Sequence, residues 1–115
     1  MTVDEFKKRT RAFALRVIHL VDSLPKSRTA GIIGGQLLRA GTSVGANYRA
    51  ACRARSSADF TAKMGIVEEE CDESAYWMEL LIEAGLVKES RISDLLSEAN
   101  EILAMVVASI RTSRK

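Results

Sequence analysis

The segment Gln36–Arg53 reads QLLRAGTSVGANYRAACR. Its apolar residues recur every three or four positions, which is typical of one face of an α-helix. Two glycines, Gly41 and Gly45, lie four residues apart within it. Glycine inside a helix costs roughly 0.5–1 kcal/mol relative to alanine, and close packing against another helix or a ligand backbone would explain both. The segment therefore predicts an amphipathic helix with a closely packed face and several arginines.

Three further segments share this periodicity. The sequence predicts four helices in one domain spanning residues 1–115, over residues of about 3–24, 29–55, 57–85 and 90–111. The residues expected in the core are, helix by helix, Phe6, Thr10, Phe13, Val17, Leu20 and Leu24; Ile33, Leu37, Ala40, Val44, Asn47 and Ala51; Phe60, Met64, Val67, Cys71, Ser74, Met78 and Leu81; and Ile92, Leu96, Ala99, Leu103, Val106 and Ile110.

Residues that end or cap helices separate the four segments. Pro25 follows the first helix, and Gly85 is a plausible end for the third because glycine tolerates the left-handed conformation. Ser56 or Ser57 can cap the third helix, and Ser90 the fourth. Because Pro25 and Gly85 interrupt the pattern, a long coiled-coil hairpin is disfavoured. The expected fold is all-α, an antiparallel up-down-up-down four-helix bundle.

The composition fits a globular helical protein. Of the 115 residues, 47% are hydrophobic, 5% are aromatic and one is proline, which argues against a β-sandwich. The formal net charge is only +2, which does not by itself require a nucleic-acid partner. No apolar run approaches the roughly 20 residues that span a bilayer, and the first eleven residues are too polar for a secretory signal. We expect a cytoplasmic protein with reduced thiols and no membrane partner.

No pattern of catalytic residues is present. The dense acidic run Glu68–Glu73 could suggest a metal site, but a di-iron bundle also needs Glu-x-x-His motifs, and the only histidine is His19. We therefore expect no enzymatic activity, no catalytic residue, no metal and no cofactor. The acidic run is interpreted either as a solvated face or as the partner of arginines on the second helix.

Those arginines lie opposite the apolar stripe when each residue is advanced by about 100° around the helix axis. They are Arg28, Arg39, Arg49 and Arg53, with Gly35, Thr42 and Ala46 among them. The face is thus basic and also flat, because its other side chains are small. It fits an ordinary solvated surface, a subunit interface in which arginines pair with carboxylates, or a surface that binds nucleic-acid phosphates.

The main hypothesis is a non-enzymatic homo-oligomeric bundle that binds RNA or DNA non-specifically. The candidate nucleic-acid-binding residues are Arg39, Arg49, Arg53, Arg55 and Lys63. The candidate subunit-interface residues are Gly35, Thr42, Ala46, Glu69 and Asp72. The alternative is a structural adapter that binds a partner protein, with the arginines serving the subunit interface.

Several of these residues also resemble the signature of a known family. The matching positions are Gln36–Ala40, Thr42–Asn47, Asp59–Phe60 with Lys63, and Glu69 followed by Trp77–Leu81. They are similar to the four-helix bundle proteins encoded in 23S ribosomal RNA intervening sequences, of which the accessory variability determinant of diversity-generating retroelements looks like a relative. The resemblance covers about residues 6–110 and implies a left-handed antiparallel bundle that assembles as a homopentamer. The family has no established activity, whereas the retroelement relative binds nucleic acid and a reverse transcriptase.

Overall fold

Four α-helices make up the computed structural model, which describes residues 1–114. They are α1 (Val3–Asp22), α2 (Arg28–Ala51), α3 (Ser57–Glu83) and α4 (Glu89–Ser113). Loops of five residues join them, so that consecutive helices run antiparallel and pack side by side. The molecule measures 45 × 22 × 21 Å, and no strand occurs within residues 1–114. The expected all-α four-helix bundle is confirmed.

The core lies where the four apolar stripes meet, and it differs from the predicted one at a few positions. In α4, Leu95 and Ile102 are buried, whereas Leu96 and Leu103 are half-buried. In α2, Tyr48 replaces Asn47 as the buried residue. Neighbouring residues lie about 100° apart around a helix, so both members of each pair border the stripe, and only the packing of the other helices decides between them. Tyr48 packs edge-on against the ring of Phe6, with centroids 4.7 Å apart.

The helix ends follow the capping residues in part. Ser56 accepts a hydrogen bond from the Asp59 N–H at 3.0 Å and so caps α3. At the other end of α3, Gly85 takes a φ of +72°, and the Leu86 N–H reaches back to the Leu81 carbonyl at 3.0 Å, which is the Schellman arrangement. The prediction that Ser90 caps α4 is wrong, because α4 already begins at Glu89 without a side-chain cap.

Close approach between α1 and α2 explains the two glycines of the opening segment. A Cβ atom on Gly41 would lie 2.8 Å from the nearest methyl carbon of Val17. A Cβ atom on Gly45 would lie 3.1 Å from the Thr10 hydroxyl oxygen. Both glycines therefore let the backbone of α2 approach α1, as their cost in helix propensity predicts. Gly31 and Gly35, by contrast, have nothing within 4 Å of such an atom.

Candidate nucleic-acid interface

Charge is divided between the two halves of the bundle. Residues 6–58, which include nearly all of α1 and the whole of α2, carry eleven lysines and arginines but only one carboxylate, Asp22. Residues 59–114, which include nearly all of α3 and the whole of α4, carry twelve carboxylates and five lysines and arginines. Since α1 packs beside α2 and α3 beside α4, the bundle has a basic side and an acidic side. The small net charge conceals this separation.

A cleft with a volume of about 420 Å³ lies on the basic side, between α1 and α2. We call it the α1–α2 cleft. Its lining residues are Lys7, Lys8, Thr10, Arg11, Ala14, Thr42, Gly45, Ala46 and Arg49. Four of them are cations and none is a carboxylate, while the remaining ones are small. The cleft thus offers concentrated positive charge between two rigid helices.

The cations of the α1–α2 cleft are accessible to a ligand. Lys8, Arg11 and Arg49 are exposed, and Lys7 is half-buried. Within residues 1–114, none of the four forms an ion pair with a carboxylate. Their charge is therefore balanced by solvent ions, which an anionic ligand can displace.

Arg39 has a different role from Arg49, because it bridges α2 to α3 within the chain. Its guanidinium donates to Glu70 at 2.9 Å and also to Glu73. The Trp77 indole N–H donates to the same Glu73 carboxylate at 3.2 Å. These contacts, above all the one from Arg39, hold the pKa of Glu73 below its ordinary value. The acidic run therefore does both things that the sequence suggested, since Glu70 and Glu73 pair with an arginine while Glu69 and Asp72 are exposed.

The other three basic candidates lie at the end of α2 and the start of α3. The second helix ends at Ala51, four residues before its predicted end, so that Arg53 and Arg55 lie in the connecting loop. Both side chains are exposed. Lys63 donates to both Asp59 carboxylate oxygens, at 2.7 and 2.9 Å, and this contact lowers the pKa of Asp59. Lys63 is thus engaged within α3.

The structure brings only some of the sequence candidates together. Thr42 and Ala46 line the α1–α2 cleft beside Arg49. Gly35 lies on the exposed part of α2 outside the cleft, and Glu69 and Asp72 lie on α3.

Three cations of α1 complete the cleft, and none of them was among the residues predicted from the sequence. They are Lys7, Lys8 and Arg11. The near absence of carboxylates between residues 6 and 58 is the signal that could have found them.

Comparison with known proteins identifies the family. Residues 4–108 match the model of the 23S rRNA-intervening sequence protein family. The chain belongs to this family. A similar structure is the crystal structure of a protein of unknown function from the S23 ribosomal protein family of Bacteroides thetaiotaomicron. It is 32% identical, with a TM-score of 0.88, and the match covers 96% of this chain and 99% of that one. No curated protein matches the sequence.

The 23S rRNA-intervening sequence protein family is one of unknown function, and no enzymatic family is indicated. One thiol and one phenol of this member have raised pKa values. Burial, and next the charge of Asp72, raises the pKa of Cys71 to about 12. Burial, and next the Cys52 thiol, raises the pKa of Tyr48 to about 12. Both groups therefore stay protonated at neutral pH.

Within residues 1–114, no three or more His, Cys, Asp or Glu side chains are grouped so that they could hold a metal ion. None of the four helices in this range combines the length and apolar character needed to cross a membrane.

Proposed function

We propose that this member of the 23S rRNA-intervening sequence protein family is a non-enzymatic, homo-oligomeric bundle that binds RNA or DNA without sequence preference. The observation that carries the proposal is the α1–α2 cleft, whose four cations, three exposed and one half-buried, form no ion pair within residues 1–114 and have no carboxylate among them. Phosphate groups gain affinity from such a surface because each neutralised phosphate releases bound counterions.

The set of residues assigned to this function differs from the set expected from the sequence. Arg49 keeps its assignment and is joined by Lys7, Lys8 and Arg11 of α1. Arg53 and Arg55 extend the basic surface beyond the end of α2. Arg39 and Lys63 are assigned to contacts within the chain, because carboxylates of α3 already neutralise them.

Assembly into a homo-oligomer is supported by the exposed surface of α2. Gly31 and Gly35 are exposed, and apart from their own stretch of helix no atom of residues 1–114 lies within 4 Å of where their Cβ atoms would be. Ile32 and Leu38 on the same part of α2 are 58% and 36% exposed. These glycines weaken the helix, and no contact within the chain requires them. Together with the exposed aliphatic side chains beside them, they suit the close approach of a second copy. We expect Gly35→Leu to lower the mass in native mass spectrometry, and a monomeric parent protein would contradict this part of the proposal.

The phosphate-binding role is tested by the salt dependence of affinity. Anisotropy of a labelled structured RNA and a labelled DNA duplex is measured from low to near-physiological salt. Arg11→Ala and Arg49→Ala should each reduce the slope of log K against log salt by about one. Arg111→Ala removes the same charge from an exposed position on α4 and should leave the slope nearly unchanged. Unchanged slopes for Arg11→Ala and Arg49→Ala would refute the assignment of these residues.

The division of charge also favours a second candidate function, a structural adapter whose basic side packs against the acidic side of the next subunit. Glu69 and Asp72 are exposed and make no ion pair within residues 1–114, so they could receive Arg49 of another copy. Under this alternative, Arg49→Glu dissociates the oligomer. An intact oligomer that loses affinity for RNA after the same substitution supports the main proposal instead.

A further inference from the structure

Aromatic side chains lie outside the α1–α2 cleft; buried Phe6 and Tyr48 and half-buried Phe60 line a separate cavity beside Arg55. The chain has six aromatic residues, and none of them lines the α1–α2 cleft. Only Tyr76 is exposed, at 53%, and it lies on the acidic helix α3. Its ring stacks edge-on against Trp77, with centroids 5.1 Å apart, and its exposed neighbour in the next turn is Glu79.

This distribution bears on the kind of nucleic acid that the cleft suits. Proteins that bind single strands combine a positive groove with aromatic rings on which the bases stack. The α1–α2 cleft provides the first of these features and lacks the second. A single strand bound here would leave its bases in solvent and gain only from phosphate contacts.

A double helix needs no such stacking, because its bases are already paired and stacked. It also presents one phosphate charge for every ~1.7 Å of axis, against ~3.4 Å for one strand. The cleft has cations on both walls, Lys7, Lys8 and Arg11 on α1 and Arg49 on α2. Two basic walls with small residues between them fit the ridge of a sugar–phosphate backbone.

The two side-chain amides of α2, which could recognise bases, form hydrogen bonds within the helix instead. The Asn47 amide donates to the Ser43 carbonyl at 2.9 Å. The Gln36 amide oxygen accepts from Arg39 at 3.4 Å. Amides of this kind recognise adenine in duplexes, so this face of α2 offers a ligand its cations rather than free amides.

From these observations we infer that the α1–α2 cleft binds the sugar–phosphate backbone of a double helix, RNA or DNA, in preference to a single strand. The inference rests on the proposed function, because it names the class of nucleic acid that the same cations contact. Duplex RNA and duplex DNA share this backbone chemistry, and the test below separates them.

The experiment compares three labelled ligands in the same low-salt buffer. They are an RNA duplex of about 20 base pairs, longer than the 45 Å protein, a DNA duplex of the same sequence, and an unstructured oligouridylate of equal length. We expect both duplexes to bind at least about tenfold more tightly than the single strand. The bases of the single strand have no aromatic ring in the cleft to stack on, and a single strand carries fewer phosphates per unit length than a duplex. Similar affinities for the two duplexes would indicate contacts to the backbone alone. Tighter binding of the RNA duplex would indicate additional contacts to its 2′-hydroxyl groups. Either result supports the inference.

Two variants complete the design. Arg11→Ala should weaken binding of the duplexes, and Tyr76→Ala should change no affinity. Equal or tighter binding of oligouridylate, or a loss of its binding in Tyr76→Ala, would overturn the duplex inference while leaving the proposed function standing. Failure of all three ligands to bind at low salt would overturn the proposed function itself.

Discussion

Two glycines of this bundle differ in the space around them, so replacing each with alanine should change the free energy of unfolding in opposite directions. A methyl group at Gly41 would meet the β-branched side chain of Val17 at 2.8 Å, so Gly41→Ala should lower the free energy of unfolding by about 1–3 kcal/mol. Gly65 of α3 has open space at the same position, and Gly65→Ala should raise it by roughly 0.5–1 kcal/mol through helix propensity. Urea denaturation of both variants measures the difference. Equal changes of the same sign would show that α1 and α2 are not in close contact at Gly41.

Whole helices show how far the sequence could predict the fold. Periodicity identified all four helices and most of their buried faces, because an amphipathic stripe is a property of one helix alone. The end of α2 was missed because Arg53–Arg55 contains ordinary helix formers, and nothing local marks the turn after Ala51.

The caps of the helices give a prediction at the same scale. Ser56→Ala removes the hydroxyl that holds the Asp59 N–H and should cost about 1 kcal/mol. Lys88→Ser places a hydroxyl at the start of α4, where no side chain caps the helix, and should raise the free energy of unfolding by about 0.5–1 kcal/mol. Thermal unfolding followed by circular dichroism measures both changes. A melting temperature of Lys88→Ser at or below that of the parent would contradict the second expectation.

The first helix, α1, packs against the last, α4, and so completes the bundle. This pair of neighbouring helices shares the fewest contacts. Arg9 ties them together by donating to both oxygens of Glu98, at 2.7 and 2.9 Å. This contact holds the pKa of Glu98 below its ordinary value of 4.5. The folded state therefore binds fewer protons than the unfolded state in acid, so this part of the stability is complete above about pH 4.5 and is lost as the pH falls.

Glu98→Gln tests the contribution of this ion pair. It should lower the free energy of unfolding at neutral pH by roughly 1.5–3 kcal/mol. It should also make the free energy of unfolding fall less steeply as the pH drops below 4.5. Glu101→Gln is the matched control, since Glu101 is exposed and lies 3.5 Å from Arg9, and a surface pair contributes about 0–1 kcal/mol. Urea titrations at several pH values compare the variants. An acid transition identical to that of the parent would show that Glu98 does not govern the pH dependence.

The sequence predicted the candidate site only in part, because the site depends on how the helices pack in the whole molecule. Arg49 was predicted to bind nucleic acid, whereas Thr42 and Ala46, which also line the cleft, were predicted as subunit-interface residues. All three were chosen from one helix, but the α1–α2 cleft exists only where two helices pack. Whether an arginine of α2 is free or paired depends on which residues of α3 lie beside it, and for Arg39 these are Glu70 and Glu73. Such a register between helices follows from packing and is invisible in the pattern of a single helix.

The separation of charge has a consequence for how many strands one molecule can hold. A bundle seated on a duplex by its α1–α2 side turns the exposed carboxylates of α3 and α4, such as Glu69, Asp72 and Asp94, towards the surroundings, and these repel a second polyanion. Uniformly cationic proteins bridge nucleic acids and condense them, whereas this one should coat a duplex in a single layer and leave the solution clear. Turbidity that rises with protein concentration would mean that the acidic half does not face outward.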